Sequence, residues 1–443
     1  MRTSITYNRI WKVAYPIIIG LVAQNLMVVI DTAFLGRLGE VTLGAAAIGG
    51  IFYLTLFMFG AGFSVGTQIM IGRRNGERKL RHIGRISDHA MYMLLVLAAA
   101  VFMLITFVAP GFLSWFMSSE DVLAESLIFL QHRRFGIFFG FLILGFHALY
   151  IGTTRTMVLS ISTILMAVVN ITLDYIFIFG HLGFPAMGIA GAALATNIAE
   201  LVTFAFFLIW SAKTNIIKQY RLFRFWRPHP RLYKPLFRLA FPVMFQYFFS
   251  FAAWFAFFLV IEQIGETALA ASNITRSFYM LLMIPVWGLS SATNTLVSNT
   301  IGAGKSDEVI SLIWKIVMIG LAASVLFIIP TIAFASEIVS FFTYDPHLIA
   351  ATTPLLYVIC LSLIAFSFGM IFFSGLSGTG KTMLALRLEL ISIGLYLVSA
   401  FILAIGFKAS TAWVWSAEIV YFSVMAILAS TFLYKGSWKH FEV

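Results

Sequence analysis

Val13-Ala14-Tyr15-Pro16 returns as Leu239-Ala240-Phe241-Pro242, a displacement of 226 residues between Pro16 and Pro242. The same displacement carries Gly39-Glu40 onto Gly265-Glu266, and Gly152-Thr153-Thr154-Arg155-Thr156-Met157 onto Gly378-Thr379-Gly380-Lys381-Thr382-Met383. A fixed offset held across the chain marks an internal duplication, with each copy built to one plan. Asp31 and Asp174 break the pattern, because Phe257 and Ala400 stand at their counterparts. One copy can hold a cation or proton at those positions where its twin cannot.

Outward from this repeat, the composition fixes the solvent. The 443 residues are 61% hydrophobic and 11% charged, and the mean hydropathy is +0.97. Soluble domains are far more polar, so the chain reads as an integral membrane protein. A bilayer core needs about 20 apolar residues per helix. Twelve such stretches fall near 11–34, 43–71, 89–113, 123–151, 157–180 and 188–211, then 236–261, 268–301, 309–334, 351–376, 383–406 and 412–434. The first follows Arg2, Arg9 and Lys12 but is too long for a cleaved signal peptide, and its twin at Pro242 is internal.

An even number of helices per half sends both halves into the membrane in one direction, so the repeat is parallel, about an axis along the membrane normal. The expected fold is all-α, with two six-helix lobes: an N-lobe at 1–212, a basic linker at 213–235 and a C-lobe at 236–443. The linker contains Pro228 and Pro230 and no acidic residue, which suits a solvated loop beside anionic lipid. A cavity between two such bundles is the expected place for a transported substrate.

The net charge of +11 points to topology and not to nucleic acid. Basic residues gather after even-numbered helices: Arg73 to Arg85 after the second, Arg155 after the fourth, Lys213 to Lys234 after the sixth. Loops after odd helices carry acids such as Glu40, Glu120, Asp121, Glu262, Glu266, Glu337 and Asp345. The asymmetry places both termini in the cytoplasm of a multi-pass protein of the cell membrane, the inner membrane of a prokaryote. A single cysteine, Cys360, excludes an intramolecular disulfide. Phenylalanines such as Phe245, Phe248, Phe249 and Phe255 would give adaptable apolar walls that accept cations on their ring faces.

Asp31, Asp174, Glu200, Glu389 and Glu418 fall within the apolar stretches. A charge at a helix centre costs roughly 2.5–3.5 kcal/mol by insertion scales, so each acid is paired, protonated or faces water. Asn170 lies one turn before Asp174, on the same face. At 1.5 Å per residue, Asp31, Asp174 and Thr196 all lie about 7–12 Å below the outer surface and can meet. Two carboxylates, an amide oxygen and a hydroxyl form an all-oxygen cage suited to Na⁺, and without a metal the acid pair can share a proton. Gln24 and Asn25, about two turns before Asp31, reach a substrate or bridge helices; Glu200 and Arg276 are further candidates for the substrate cavity, and Pro16 allows a gating bend in the first helix. Glu389 and Glu418 have no acidic twin, and sequence gives them no partner.

Gly375-Leu376-Ser377-Gly378-Thr379-Gly380-Lys381-Thr382 fits the phosphate-loop pattern, but a membrane helix precedes it where that loop needs a strand. The histidines are scattered, and His147 reads as an interior hydrogen-bonded residue.

At these residues the chain resembles the multidrug and toxic compound extrusion (MATE) family over essentially its whole length. The resemblance rests on Pro16 and Asp31 in the first helix, Asn170-Ile171-Thr172-Leu173-Asp174 in the fifth and Gly191-Ala192-Ala193-Leu194-Ala195-Thr196 in the sixth. Arg276, Pro285, Gly288-Leu289-Ser290-Ser291-Ala292 and Ile301-Gly302-Ala303-Gly304-Lys305 continue it in the second half. It implies export of organic cations and other amphipathic compounds in exchange for Na⁺ or H⁺, no cofactor and no enzymatic activity, with Asp31, Asn170, Asp174 and Thr196 as the ion site. Some family branches use acids on the seventh and tenth helices; Ser250 and Phe366 here speak against ion coupling in the second lobe. A flippase for lipid-linked saccharides is the alternative on the same architecture, and a membrane-bound ATP-using enzyme the alternative of another class. The sequence specifies no oligomeric state.

Overall fold

The computed structural model describes residues 6–439 except 118 and 225–228, so Arg2, Arg227 and Pro228 lie outside the described residues. Among the described residues every regular element is helical. The first half comprises α1 (Tyr7–Gly36), α2 (Glu40–Gly76), α3 (Leu80–Phe107), α4 (Ala109–Phe116), α5 (Glu120–Arg133), α6 (Gly136–Gly152), α7 (Met157–Phe179), α8 (Gly188–Lys213) and the short α9 (Ile216–Tyr220). The second half comprises α10 (Pro230–Glu262), α11 (Glu266–Gly302), α12 (Val309–Ala333), α13 (Ala335–Ser340), α14 (Pro346–Gly378), α15 (Thr382–Phe401), α16 (Thr411–Trp415) and α17 (Ala417–Lys435).

Eleven helices among the described residues are long and apolar enough to cross a membrane, and α5 with α6, taken as one span bent by 54°, makes a twelfth. The expected membrane-spanning set is therefore present. The repeat is visible in the backbone itself, because α2 and α11 have the same length of 37 residues and each follows a glycine in an unusual conformation. Gly39 has φ +121° and ψ 173°, and Gly265 φ +135° and ψ 170°. A side chain is excluded from that region, so the two glycines set the same sharp entry into twin helices.

By packing, the chain divides into two compact units, Ile19–Met244 and residues up to Ile18 with Phe245–Val443. These boundaries fall inside α1 and α10 and not within 213–235. The part of that segment up to Arg224 folds onto the first unit. The Asp88 carboxylate of α3 accepts the backbone N–H groups of Phe223 at 2.9 Å and Arg224 at 3.1 Å, Arg155 donates to Gln219 at 2.9 Å, and Ile216 and Tyr220 are buried. Before α3, burial opposes ionisation of Glu77, yet its pairs with Arg74 at 2.8 Å and Lys79 at 2.9 Å hold the carboxyl below the usual range.

The core of the first unit is apolar side chains from α2, α3 and α6, with Phe63, Leu94, Ile137 and Phe141 at its centre. Lipid tails are as apolar as these groups, so close van der Waals contact stabilises the packing more than removal from water does. The second unit is built around Trp415, whose indole N–H donates to Ser272 Oγ at 2.9 Å, and Phe257, stacked on Tyr396 at 5.3 Å.

Sequence suggested one uninterrupted fourth helix, and the bend between α5 and α6 has an electrostatic anchor. Arg133, the last residue of α5, donates from Nη1 to Asn197 Oδ1 and Glu200 Oε2 of α8, each at 2.8 Å. Its Nη2 pairs with Glu200 Oε1, and the guanidinium lies 4.3 Å from the centroid of the Tyr53 ring of α2. The guanidinium thus ties three helices at the bend. Breaking a buried pair on one side costs about 3–5 kcal/mol, because the survivor stays charged and unpaired. Arg133→Met or Glu200→Gln should each destabilise the purified protein by about that amount in thermal unfolding, and the Arg133→Met/Glu200→Met pair should recover most of the loss. Gly39→Ala and Gly265→Ala should each cost about 1–3 kcal/mol through backbone strain in the same assay.

Candidate functional site

The upper parts of α1, α7 and α8 form the site, all within Ile19–Met244. The α7 chain ends in a left-handed turn at Gly180, with φ +77°. Gly191 then brings α8 against α7, since a Cβ there would sit 2.7 Å from the carbonyl carbon of Phe177. Leu35, Ala45, Ile178, Ile189 and Ala192 pack the apolar end beyond the polar residues.

Inside this frame Asn170 is fully buried, Asp174 is 1% exposed and Asp31 is half-buried. The Asn170 Nδ2 donates to Thr196 Oγ1 at 3.3 Å, and the Thr196 hydroxyl donates to the Ala192 carbonyl at 2.9 Å. The Asp31 and Asp174 carboxyl groups are close enough to interact. Yet Asp31 Oδ1, Asn170 Oδ1 and both carboxyl oxygens of Asp174 are buried without a hydrogen-bond partner. Four orphaned acceptors in one place are exceptional, because an unpaired buried polar atom costs about 1–3 kcal/mol and more when charged. Such a group of oxygens can take up a proton or coordinate a hard cation, and either would relieve the deficit.

The other candidates are placed differently. Gln24 is exposed, and the Asn25 amide donates back to the Leu21 carbonyl at 3.0 Å. Glu200 is held by Arg133, which also donates to Asn197 Oδ1, and the Asn197 amide donates to the His132 carbonyl at 2.7 Å. Arg276, in the other unit, is half-buried with its guanidinium 5.2 Å from the Phe258 ring centroid. Pro16 lies within α1, and His147 sits edge-on to Phe207 at 5.8 Å. Gly375 and Gly378 of the phosphate-loop look-alike are buried inside α14, so that segment is helix packing and not a phosphate cradle. No group of three or more His, Cys, Asp or Glu able to hold a metal occurs among the described residues.

Two clusters escaped the sequence reading. Arg133 was not singled out, although an arginine in an apolar stretch calls for a carboxylate and Glu200 was already known to need a partner. Glu389 and Glu418 prove to be bonded by hydroxyl groups, of Ser250 at 2.6 Å and Tyr421 for the first and of Tyr396 at 2.9 Å for the second. Nothing in the spacing signals these contacts.

Comparison with known proteins agrees with this architecture. The sequence profile of the MatE family matches residues 16–176 and again 242–402, the offset seen in the repeat. A probable multidrug resistance protein NorM of Agrobacterium fabrum is 29% identical over 80% of this chain and 76% of its own, and one of Pasteurella multocida is 27% identical over the same shares. Among solved structures, an outward-facing multidrug resistance MATE family transporter of the MOP superfamily superposes with a TM-score of 0.90 at 20% identity, covering 97% of this chain and 95% of that one. A MOP superfamily transporter from Pyrococcus furiosus gives 0.89 at 19% identity over the same shares. With the profile matching both halves, the chain belongs to the MatE family of membrane transporters.

Proposed function

We propose that this protein is a secondary active multidrug exporter that exchanges organic cations or amphipathic compounds for H⁺ or Na⁺ by alternating access. The observation that carries the reading is the set of four partnerless oxygens on Asp31, Asn170 and Asp174. The relatives named as multidrug resistance proteins support the substrate class. It acts as a transporter and not as an enzyme, with a coupling ion and no cofactor. It sits in the cell membrane of a prokaryote, and the basic loops put both termini in the cytoplasm.

The proposed ion site is Asp31, Asn170, Asp174 and Thr196. A proton entering from outside neutralises the acid pair, and Na⁺ would do so by drawing on the four side-chain oxygens. Either event changes the charge beside the upper part of α1, biases the equilibrium between two conformations and releases the substrate. Pro16 supplies the bend in α1, and Gln24 and Asn25 on the same helix contact the substrate. Glu200 acts from behind, fixing α8 and with it Thr196. The repeat-defined halves, 1–212 and 236–443 joined by 213–235, are the two lobes of this scheme.

The test is purified protein in liposomes, with a Na⁺ or a pH gradient imposed separately while efflux of a fluorescent organic cation is followed. An ion that binds both conformations equally shifts nothing, so removal of the titratable oxygens should uncouple the gradient. Asp31→Asn and Asp174→Asn should each lower gradient-driven efflux by about tenfold or more. Full ion-driven export by Asp31→Asn would overturn the reading.

A further inference from the structure

Every strongly buried acid of the first unit is accounted for by Arg133, by the linker amides on Asp88 or by the proposed ion site. Among the described residues, the second unit holds two that are not. Glu389 of α15 is 2% exposed, and its Oε1 accepts hydrogen bonds from the Ser250 hydroxyl of α10 at 2.6 Å and the Tyr421 hydroxyl of α17. Its Oε2 is buried with no partner. Glu418 of α17 is 3% exposed and accepts from the Tyr396 hydroxyl of α15 at 2.9 Å, with Trp254 of α10 alongside. The Tyr396 and Tyr421 rings lie 5.4 Å apart, so two phenols on two helices join the two carboxyl groups.

The groups facing this pair are Ser250 and Tyr247 from α10, Tyr279 from α11, Tyr396 on α15 and Tyr421 on α17. None of these is basic, and among the described residues neither acid takes part in an ion pair. In a low-dielectric interior a carboxylate without a counter-charge is held only with a proton or a bound cation. A hard cation needs several oxygen ligands converging on it. Here Ser250 and Tyr421 turn their hydrogens toward Glu389, which leaves Oε2 as the carboxyl atom free to take anything up. One vacant acceptor suits a proton and not a metal ion.

We propose that Glu389 and Glu418, joined through Tyr421 and Tyr396, form a second proton-binding site that loads and unloads independently of Asp31 and Asp174. On release, the O–H bond at Glu389 Oε2 breaks, its electron pair stays on the carboxylate and the proton passes to water. The Ser250 and Tyr421 hydrogen bonds then stabilise the charge left behind. Ser250 and Tyr421 are themselves only half-buried, so the site is open to exchange on that side. Proton binding here does not depend on the ion site proposed above; only its use in export rests on that reading.

The experiment is infrared difference spectroscopy on the purified full-length protein carrying Asp31→Asn and Asp174→Asn, stepped across neutral pH. A protonated-carboxyl C=O band that disappears as pH rises is expected in that background. Adding Glu389→Gln should remove at least about half of its amplitude, and adding Glu418→Gln the remainder. Tyr421→Phe keeps both acids and should displace the midpoint of the titration, since a hydrogen bond to the charged form is lost. A spectrum with no pH-sensitive carboxyl band, or a band that survives both glutamine substitutions or keeps its midpoint in Tyr421→Phe, overturns the proposal. Because the readout is proton binding, it stands or falls apart from any loss of transport in the aspartate variants.

Discussion

A carboxylate inside a membrane helix cannot be left as it is. Hydrocarbon offers no water to solvate it, so the protein must supply an opposite charge, a set of donors or something that comes and goes. Each solution is used at a different place in this chain. Glu200 has an arginine, an asparagine near that arginine and nothing left over. Glu389 and Glu418 have hydroxyl donors but no positive charge. Asp174 has neither, with both oxygens orphaned beside those of Asp31 and Asn170. Ordered by satisfaction, the acids run from a fixed structural tie to a set of acceptors left without partners, where the ion site is proposed.

The packing makes this ordering persistent. A deficit of donors could be relieved if α7 moved a few ångströms toward one, but Gly191 seats α8 directly on the Phe177 carbonyl and leaves little room to shift. Arg133 then fixes the same α8 from the other side through Glu200 and Asn197. The stability of that tie thereby helps hold in place Thr196, which lies about one turn away along α8 and bonds Asn170. The group of orphaned oxygens is kept polar and incomplete by well-satisfied contacts around it.

Sequence reading recovered the features that depend on order along the chain. The offset of 226 residues, the membrane-spanning stretches and the nearness of Asp31 to Asp174 follow from counting, and the glycine pair Gly39 and Gly265 appears as a twin conformation in the backbone. What escaped depends on rotation of one helix about its axis relative to another. Periodicity says which residues share a face, but not which faces meet. Ser250 and Glu389 lie 139 residues apart, and Arg133 and Glu200 lie 67 apart. The bend of 54° between α5 and α6 was hidden for the same reason, since its anchor belongs to a different helix.

The duplication also explains why position-by-position comparison of the halves misleads. Phe257 and Ala400 replace Asp31 and Asp174, and that substitution made the second half look inert. Phe257 instead stacks on Tyr396, the residue that binds Glu418, and so helps to wall the neighbouring pair of acids in apolar surroundings. Once a repeat is duplicated, each copy needs only to solve the problem of its own buried charges, and the second copy placed its acids elsewhere on the plan: Glu389 on α15, the counterpart of α7 but at a different position from Asp174, and Glu418 on α17, the counterpart of α8. Equivalence between the halves therefore holds for the backbone and fails for the chemistry: twin glycines survive because the turn geometry admits nothing else, whereas a carboxylate can enter from any helix that faces the same interior.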